Sequence, residues 1–240
     1  MRFRARLLTF LGCAFVASAA SAQGSARLTV VELFTSQGCS SCPPADALLK
    51  TLISRQDLMP LSFSVDYWDH LGWKDTLASP KNSARQKSYA KSLGTGNVYT
   101  PQVVVNGGWQ AIGSNKGDIE KAIYKAKERV STQMIALNAV SDTKRVTIEV
   151  GASNEAVPAT LWLAIVAPKV DVEIKRGENR GKELGYHNVV KDITPIGMWS
   201  GKPMKIELPL NAMMQNGDRG AVFLQADDGG RILAAAWMSP

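Results

Sequence analysis

Two cysteines and their setting constrain this chain more than any other feature. Cys39-Ser40-Ser41-Cys42 follows the run RLTVVELF at 27–34, and it precedes a stripe of Ala45, Leu48, Leu49, Leu52 and Ile53. The run is β-branched and apolar and reads as a strand. The stripe falls at i, i+3, i+4, i+7 and i+8, one face of a helix. Two intervening residues at a helix start bring the two sulfurs within bonding range. The unpaired N–H groups and partial positive charge of a helix N-terminus favour a thiolate, which is expected to hold the outer sulfur below the free-thiol value of about 8.5. Cys39 is expected to be the exposed, attacking sulfur, and Cys42, deeper on the helix, the resolving one.

The third cysteine, Cys13, lies in a segment of a different kind. Arg2, Arg4 and Arg6 precede an apolar run at 7–17, and Ala20-Ser21-Ala22 is a small-residue cleavage pattern. This reads as a secretory signal peptide, too short to span a bilayer, with the mature chain starting near Gln23. Leu11-Gly12-Cys13 is an early and imperfectly spaced lipoprotein box, so anchoring at Cys13 is not expected. No later apolar run is long enough to span. A periplasmic or secreted location follows, an oxidising place where a disulfide forms and persists. Losing the three arginines takes the net charge from +7 to +4. No basic stripe interleaved with aromatics appears, so a nucleic-acid partner is not expected. Lys175, Arg176, Arg180 and Lys182 cluster, and the reading preferred for them is a solvated loop rather than an anion site.

The remaining chain divides by pattern. Strand-like 27–34 and helix-like 45–53 are followed by a strand at 61–67. Ser79-Pro80 starts a helix and Gly94 stops it. A strand at 102–105 ends in the turn Asn106-Gly107-Gly108, with 109–112 as hairpin partner. Ile119, Ala122, Ile123, Ala126 and Val130 make a last helix, capped by Ser114 or Asn115. This order is α/β. From 135 onward the helical period is lost. Short strand-like runs at 135–140, 146–150, 161–167, 170–174, 189–193, 205–210, 221–225 and 232–237 suggest a small β-sandwich. The expected organisation is a signal peptide at 1–22, an α/β domain at 23–133 and a mainly β, sandwich-like domain at 134–240. With 45% apolar and 20% charged residues over 240 positions, the chain has ordinary globular composition, enough to bury a core.

Several readings of the cysteine pair compete. A static disulfide is one, although a four-residue bridge constrains little chain entropy and is a poor staple. A zinc half-site needs four ligands, and the only histidines, His70 and His187, form no ligand pair. A redox scaffold without catalysis is a third. Cu(I) handling by the reduced pair is a fourth, but Met198, Met204, Met213 and Met214 form no motif. The leading expectation is an exported thiol–disulfide oxidoreductase, with no metal and no cofactor beyond the Cys39–Cys42 pair. Its partner would be a protein or small thiol or disulfide. Oligomeric state is left open.

Residues 30–46, VVELFTSQGCSSCPPAD, resemble the thioredoxin superfamily and its glutaredoxin branch, and 100–113, TPQVVVNGGWQAIG, are similar to that branch's proline, strand, Asn-Gly turn and Ile-Gly stretch. More narrowly, ELFTSQGCSSCPPAD, VDYWDHLGWKD, YTPQ, RGENRG and YHNVV resemble a secreted bacterial thioredoxin-like family of uncharacterised function. The resemblance implies a cis-proline at Pro101 beside the cysteine pair, with Thr100 before it free to pair with a substrate peptide. It also implies a place for Glu32 as a buried proton relay, though Glu32 lies one residue further from the pair than the superfamily's acid, and a strand period of two can turn it to the other face. Tyr67, Trp68, His70 and Trp73 follow a strand's C-terminal end and are candidates for gripping a substrate. Pro43-Pro44 departs from the pattern and moves the regular helix start past the cysteines. Asp46 in the first turn opposes a nearby thiolate. Ser114-Asn115-Lys116 stand where glutaredoxins carry an acidic pair, which argues against glutathione.

Overall fold

The computed structural model describes residues 28–130, 135–154, 157–209, 214–215 and 217–239. The signal segment with Cys13, its cleavage point near Ala22 and the boundary near 131–134 lie outside the described residues. The fold is mixed α/β, with one large mixed sheet and few helices. The first half runs β1 (Thr29–Thr35), α1 (Pro43–Leu52), β2 (Leu58–Ser64), α2 (Pro80–Ser92), β3 (Gln102–Val105), β4 (Trp109–Ile112) and α3 (Lys116–Val130). The second half contributes β5 (Leu137–Ser141), β6 (Arg145–Val150), β7 (Ala159–Glu173), β8 (Glu183–Trp199), β9 (Met204–Pro209), β10 (Arg219–Ala226) and β11 (Ile232–Trp237).

Eight strands make one sheet in the order β11-β10-β7-β8-β2-β1-β3-β4, and β5-β6-β9 make a second. β1 and β2 are parallel, while β3 runs antiparallel to β1 and β4 antiparallel to β3. The halves join where β8 meets β2 in parallel, with Ser62 opposite Val189. There the Asn188 amide donates to the Pro60 carbonyl at 2.9 Å. The second half therefore does not close on itself alone. β7, β8, β10 and β11 extend the first half's sheet, and β5-β6-β9 pack over one face of that extension around Leu137, Ile148, Leu161 and Val222.

Alternation along β1 sends Val31 and Leu33 to one face and Val30 and Phe34 to the other. The first face is covered by α1 and α3 through Ala45, Leu49, Ile119 and Ile123. The second is a core continuous across both halves, including Phe63, Tyr89, Val166, Val190 and Phe223. The sheet curls about this core until its far edge meets the β3–β4 turn, where Ile232 N–H donates to the Asn106 carbonyl at 3.0 Å. α2 is poorly apolar and buries Asn82, Ser83, Gln86 and Tyr89. Its polar face is satisfied by bonds: Asn82 donates to the Ser64 carbonyl at 2.9 Å, and Gln86 to the Tyr99 carbonyl at 2.7 Å.

Two prolines explain where element bounds differ from expectation. β2 begins at Leu58, not 61, with Pro60 inside it. β7 runs unbroken through Pro168, where two strands were expected. Proline in a strand reads as a break, yet it is tolerated where no ladder donor is needed. The Pro60 carbonyl, which proline keeps, accepts the Asn188 side-chain amide from β8.

Candidate functional site at the cysteine pair

Cys39 and Cys42 are joined by a disulfide just before α1. The regular helix starts at Pro43, as the paired prolines require, and Cys42 caps it with α-region angles despite the proline that follows. Ala45 and Asp46 N–H groups both donate to the Cys42 carbonyl, at 2.8 and 3.2 Å. The Thr100–Pro101 peptide is cis. Pro101 packs at the base of α1: a methyl built on Gly113 would lie 2.9 Å from Pro101 Cβ and 3.1 Å from Ala45 Cβ. The Trp68 indole donates to Thr100 Oγ1 at 2.7 Å, and Trp68 Cβ would sit 3.2 Å from a methyl on Gly38. Trp68 thus lies against the cysteine loop at Gly38 and is bonded to Thr100, while Pro101 lies by the first turn of α1.

A second loop is laced to it through Gln37, which is fully buried. Gln37 N–H donates to Asp75 Oδ2 at 2.8 Å, and its side-chain oxygen accepts from the Trp73 indole at 2.8 Å. Trp73 therefore stands at the site by way of Gln37. Tyr67 donates to Gln86 at 3.1 Å and leans toward α2, where burial raises its hydroxyl to about 12. His70 is exposed and bonds the Tyr67 carbonyl through Nδ1 at 2.9 Å. Neither Tyr67 nor His70 is brought to the sulfurs by a direct bond among the described residues.

Cys39, expected to be the exposed sulfur, is only 3% exposed, and Cys42 is fully buried. The cover comes from the loop between β7 and β8, 140 residues away in sequence. Asn179, itself fully buried, donates its side-chain N–H groups to the carbonyls of Gln37 and Cys39, at 2.9 and 3.0 Å. Glu178 accepts from Ser40 N–H at 3.2 Å. This is the loop of Lys175, Arg176, Arg180 and Lys182, whose side chains are exposed while Asn179 and Glu178 make the contacts with the cysteine loop. Its contact was not legible from local pattern; the run RGENRG marks its position.

Under α1 lies a buried polar group. The register Leu33–Ser62 and Thr35–Ser64 puts Ser62, Thr35 and Ser64 on the sheet face that α1 covers. The side-chain oxygens of Thr35, Asp46, Ser62, Ser64 and Tyr186 are buried and have no hydrogen-bond partner among the described residues. Burial pushes the Asp46 carboxyl up to about 8; the nearby Thr35 hydroxyl opposes this and the Asp75 charge adds to it. Burial also raises Asp75 and Tyr186, and the Asp46 and Asp75 charges act on Tyr186 in the same direction. His187, on β8 beside Tyr186, is lowered by burial and by the charges of Lys50 and Lys169.

Glu32 is placed elsewhere. It shares a face with Val30 and Phe34, opposite α1, and accepts from Arg85 Nε at 2.6 Å and from the Tyr89 hydroxyl. The strand period has turned it away from the cysteines. Among the described residues, no group of three or more His, Cys, Asp or Glu could hold a metal ion, and no helix is long and apolar enough to cross a membrane.

A family model described as a protein of unknown function, DUF1223, matches residues 30–225. A crystal structure of a structural-genomics protein from Agrobacterium tumefaciens is similar at TM-score 0.75 and 34% identity, over 87% of this chain and 92% of that one. HBP35 of Porphyromonas gingivalis is similar at TM-score 0.61 and 12% identity, over 89% of this chain and 75% of that one, a likeness of fold alone. No curated protein matches.

Proposed function

The chain belongs to the DUF1223 family, whose function is unknown, and on that premise we propose that it is an exported thiol–disulfide oxidoreductase built on a thioredoxin-like unit. The order strand, helix, strand, helix, hairpin, helix over 29–130, with the sheet order β2-β1-β3-β4 and a cis-proline, supports that unit. The observation that carries the redox reading is Asp46. A carboxyl one turn past Cys42, buried with only the Thr35 hydroxyl beside it and pushed up to about 8, is costly to a fold. A fixed disulfide has no need of it, whereas a pair that exchanges protons does.

In this reading a partner thiolate attacks the Cys39 sulfur. The Cys39–Cys42 bond breaks, Cys42 leaves as a thiolate, and Asp46 supplies its proton across the buried polar group. A second partner thiol, losing its proton to solvent, then displaces Cys39, so two partner thiols become a disulfide and the pair is reduced. The reverse sequence reduces a partner disulfide. Either direction requires the 175–182 loop to withdraw, because Cys39 is covered. Trp68 and Thr100 would line the space so opened.

The cover itself favours a second reading, a fixed disulfide held under the loop on a binding scaffold. Reduced Cys42→Ser protein decides between them. Exposed to a scrambled-disulfide protein, it is expected to accumulate a mixed disulfide at Cys39. If it forms none while the Asn179→Ala double variant also forms none, the redox reading fails.

A further inference from the structure

We propose that the cleft between α2 and strands β7, β8 and β10 is a binding site for a flat, uncharged aromatic molecule that carries a hydrogen-bond acceptor such as a carbonyl. The cleft encloses 450 Å³, within the range of small-molecule sites. It lies on the sheet face opposite α1, and the proposal stands independently of the redox reading.

The floor of the cleft is Arg85, whose side chain is only 8% exposed. A guanidinium has five N–H donors in a fixed plane. Glu32 takes the Nε donor at 2.6 Å, Gln225 one on Nη1 at 3.0 Å and Tyr89 one on Nη2 at 2.7 Å. The two remaining donors have no acceptor among the described residues. Glu32, Tyr89 and Gln225 are themselves buried and cross-bonded, so the guanidinium is locked rather than free to search. Buried donors held in place and left unspent are what a recognition site keeps for a ligand acceptor.

The walls decide the shape of that ligand. Trp162 is half-buried and lines the cleft, and the Arg85 guanidinium lies over its ring, 5.7 Å from the centroid. Ile193, Ala84 and Ala226 complete an apolar lining. A planar apolar body fits such a slot and packs against the indole beside the guanidinium.

Charge decides against an anion. The Arg85 charge is already answered by Glu32, and Lys81 by Asp192 at 2.6 Å. Asp227 and Asp228 at the rim add negative charge. A carboxylate entering here would meet more negative than positive charge, whereas a neutral acceptor pays no such repulsion.

The test uses the intact mature chain with three probes of one size: 2-acetylnaphthalene, 2-naphthoate and naphthalene. Binding is read by the NMR signals of the Arg85 Nε–H and the Trp162 indole. The expected result is saturable shifts of both signals with 2-acetylnaphthalene, and affinity about tenfold weaker or less for each of the other two. Ala84→Trp and Thr194→Trp, which fill the cleft from opposite walls, are expected to abolish the shifts with thermal unfolding unchanged. Equal or tighter binding of 2-naphthoate overturns the proposal. So does the absence of an Arg85 shift with any probe, or binding that survives both occluding variants in folded protein.

Discussion

Removing the Asn179 amide isolates the contact that closes the cysteine site. The side chain is fully buried and gives both its N–H donors to the cysteine loop, one to Gln37 and one to Cys39. In Asn179→Ala both bonds go, together with the bond that Asn179 Oδ1 accepts from Lys182 Nζ at 2.9 Å within the loop. Each of the two docking bonds contributes about 0.5–1.5 kcal/mol net, so closure loses about 1–3 kcal/mol. The loop keeps its own shape, because Gly181 N–H still donates to the Ile174 carbonyl at 2.8 Å and Arg180 N–H to Gly177 at 3.2 Å. The larger part of the loss therefore falls on docking, since the exposed Lys182 can turn its ammonium from Asn179 to water. At about 1.4 kcal/mol per factor of ten, the population with the loop withdrawn rises about 5- to 150-fold. Where opening is fast, the rate of disulfide reduction by a soluble phosphine rises by the same factor. The assay is pseudo-first-order reduction followed by alkylation at timed quenches, beside Glu178→Gln, whose bond to Ser40 is exposed and is expected to matter less. A rate for Asn179→Ala within about twofold of the parent, in folded protein, refutes the claim that this contact guards Cys39.

Other outcomes follow from the buried charges. Asp46 has a folded value of about 8 against 3.8 for an ordinary aspartate, so the folded chain holds a proton that the unfolded chain has lost between those values. Its contribution is therefore fully present below about pH 4 and declines up to about pH 8, at no more than about 1.4 kcal/mol per pH unit. The stability of Asp46→Asn is expected to lack this decline, and urea unfolding of both proteins from pH 4 to 8.5 checks it. Tyr89→Phe removes the hydroxyl that donates to Glu32 and accepts from Arg85 and Gln225. It is expected to cost about 2–4 kcal/mol in the same assay without changing the disulfide's reduction rate.

What the sequence made legible is what local period encodes. The α1 stripe, the Ser79 cap, the 102–112 hairpin and the helix start at Pro43 are each set by residues within about ten positions of one another. The contacts that define the site are not. Asn179 reaches Cys39 across 140 residues, Trp68 reaches Thr100 across 32, and Gln225 reaches Tyr89 across 136. Nothing in a run of neighbours records such pairings. Glu32 shows the limit from the other side: its strand was read correctly, but a period of two leaves the facing open until a partner is known. Arg85 supplies that partner. The basic run around Arg176 likewise reads as a solvated loop, because its charges are solvated; the residue that docks is Asn179, buried in the middle of them.

The division into an α/β half and a β half follows the change of pattern near 131, yet the packing does not respect it. One core runs from Phe34 and Phe63 to Val190 and Phe223. The Arg85 guanidinium, from the first half, lies 5.0 Å from the Phe223 ring centroid and 5.7 Å from that of Trp162, both from the second. The second half thus packs over both the cysteine loop and the Arg85 side chain of the first. β7 and β8 do both: toward their Ala159–Trp199 end they line the cleft over Arg85, and at their far turn they carry Asn179 onto Cys39. A pair of 15- and 17-residue strands is far longer than the average strand of about 5–6 residues. The turn at the end of this long pair is the segment that reaches the cysteine loop. Changes in that hairpin's length should therefore alter access to Cys39 before they alter the core.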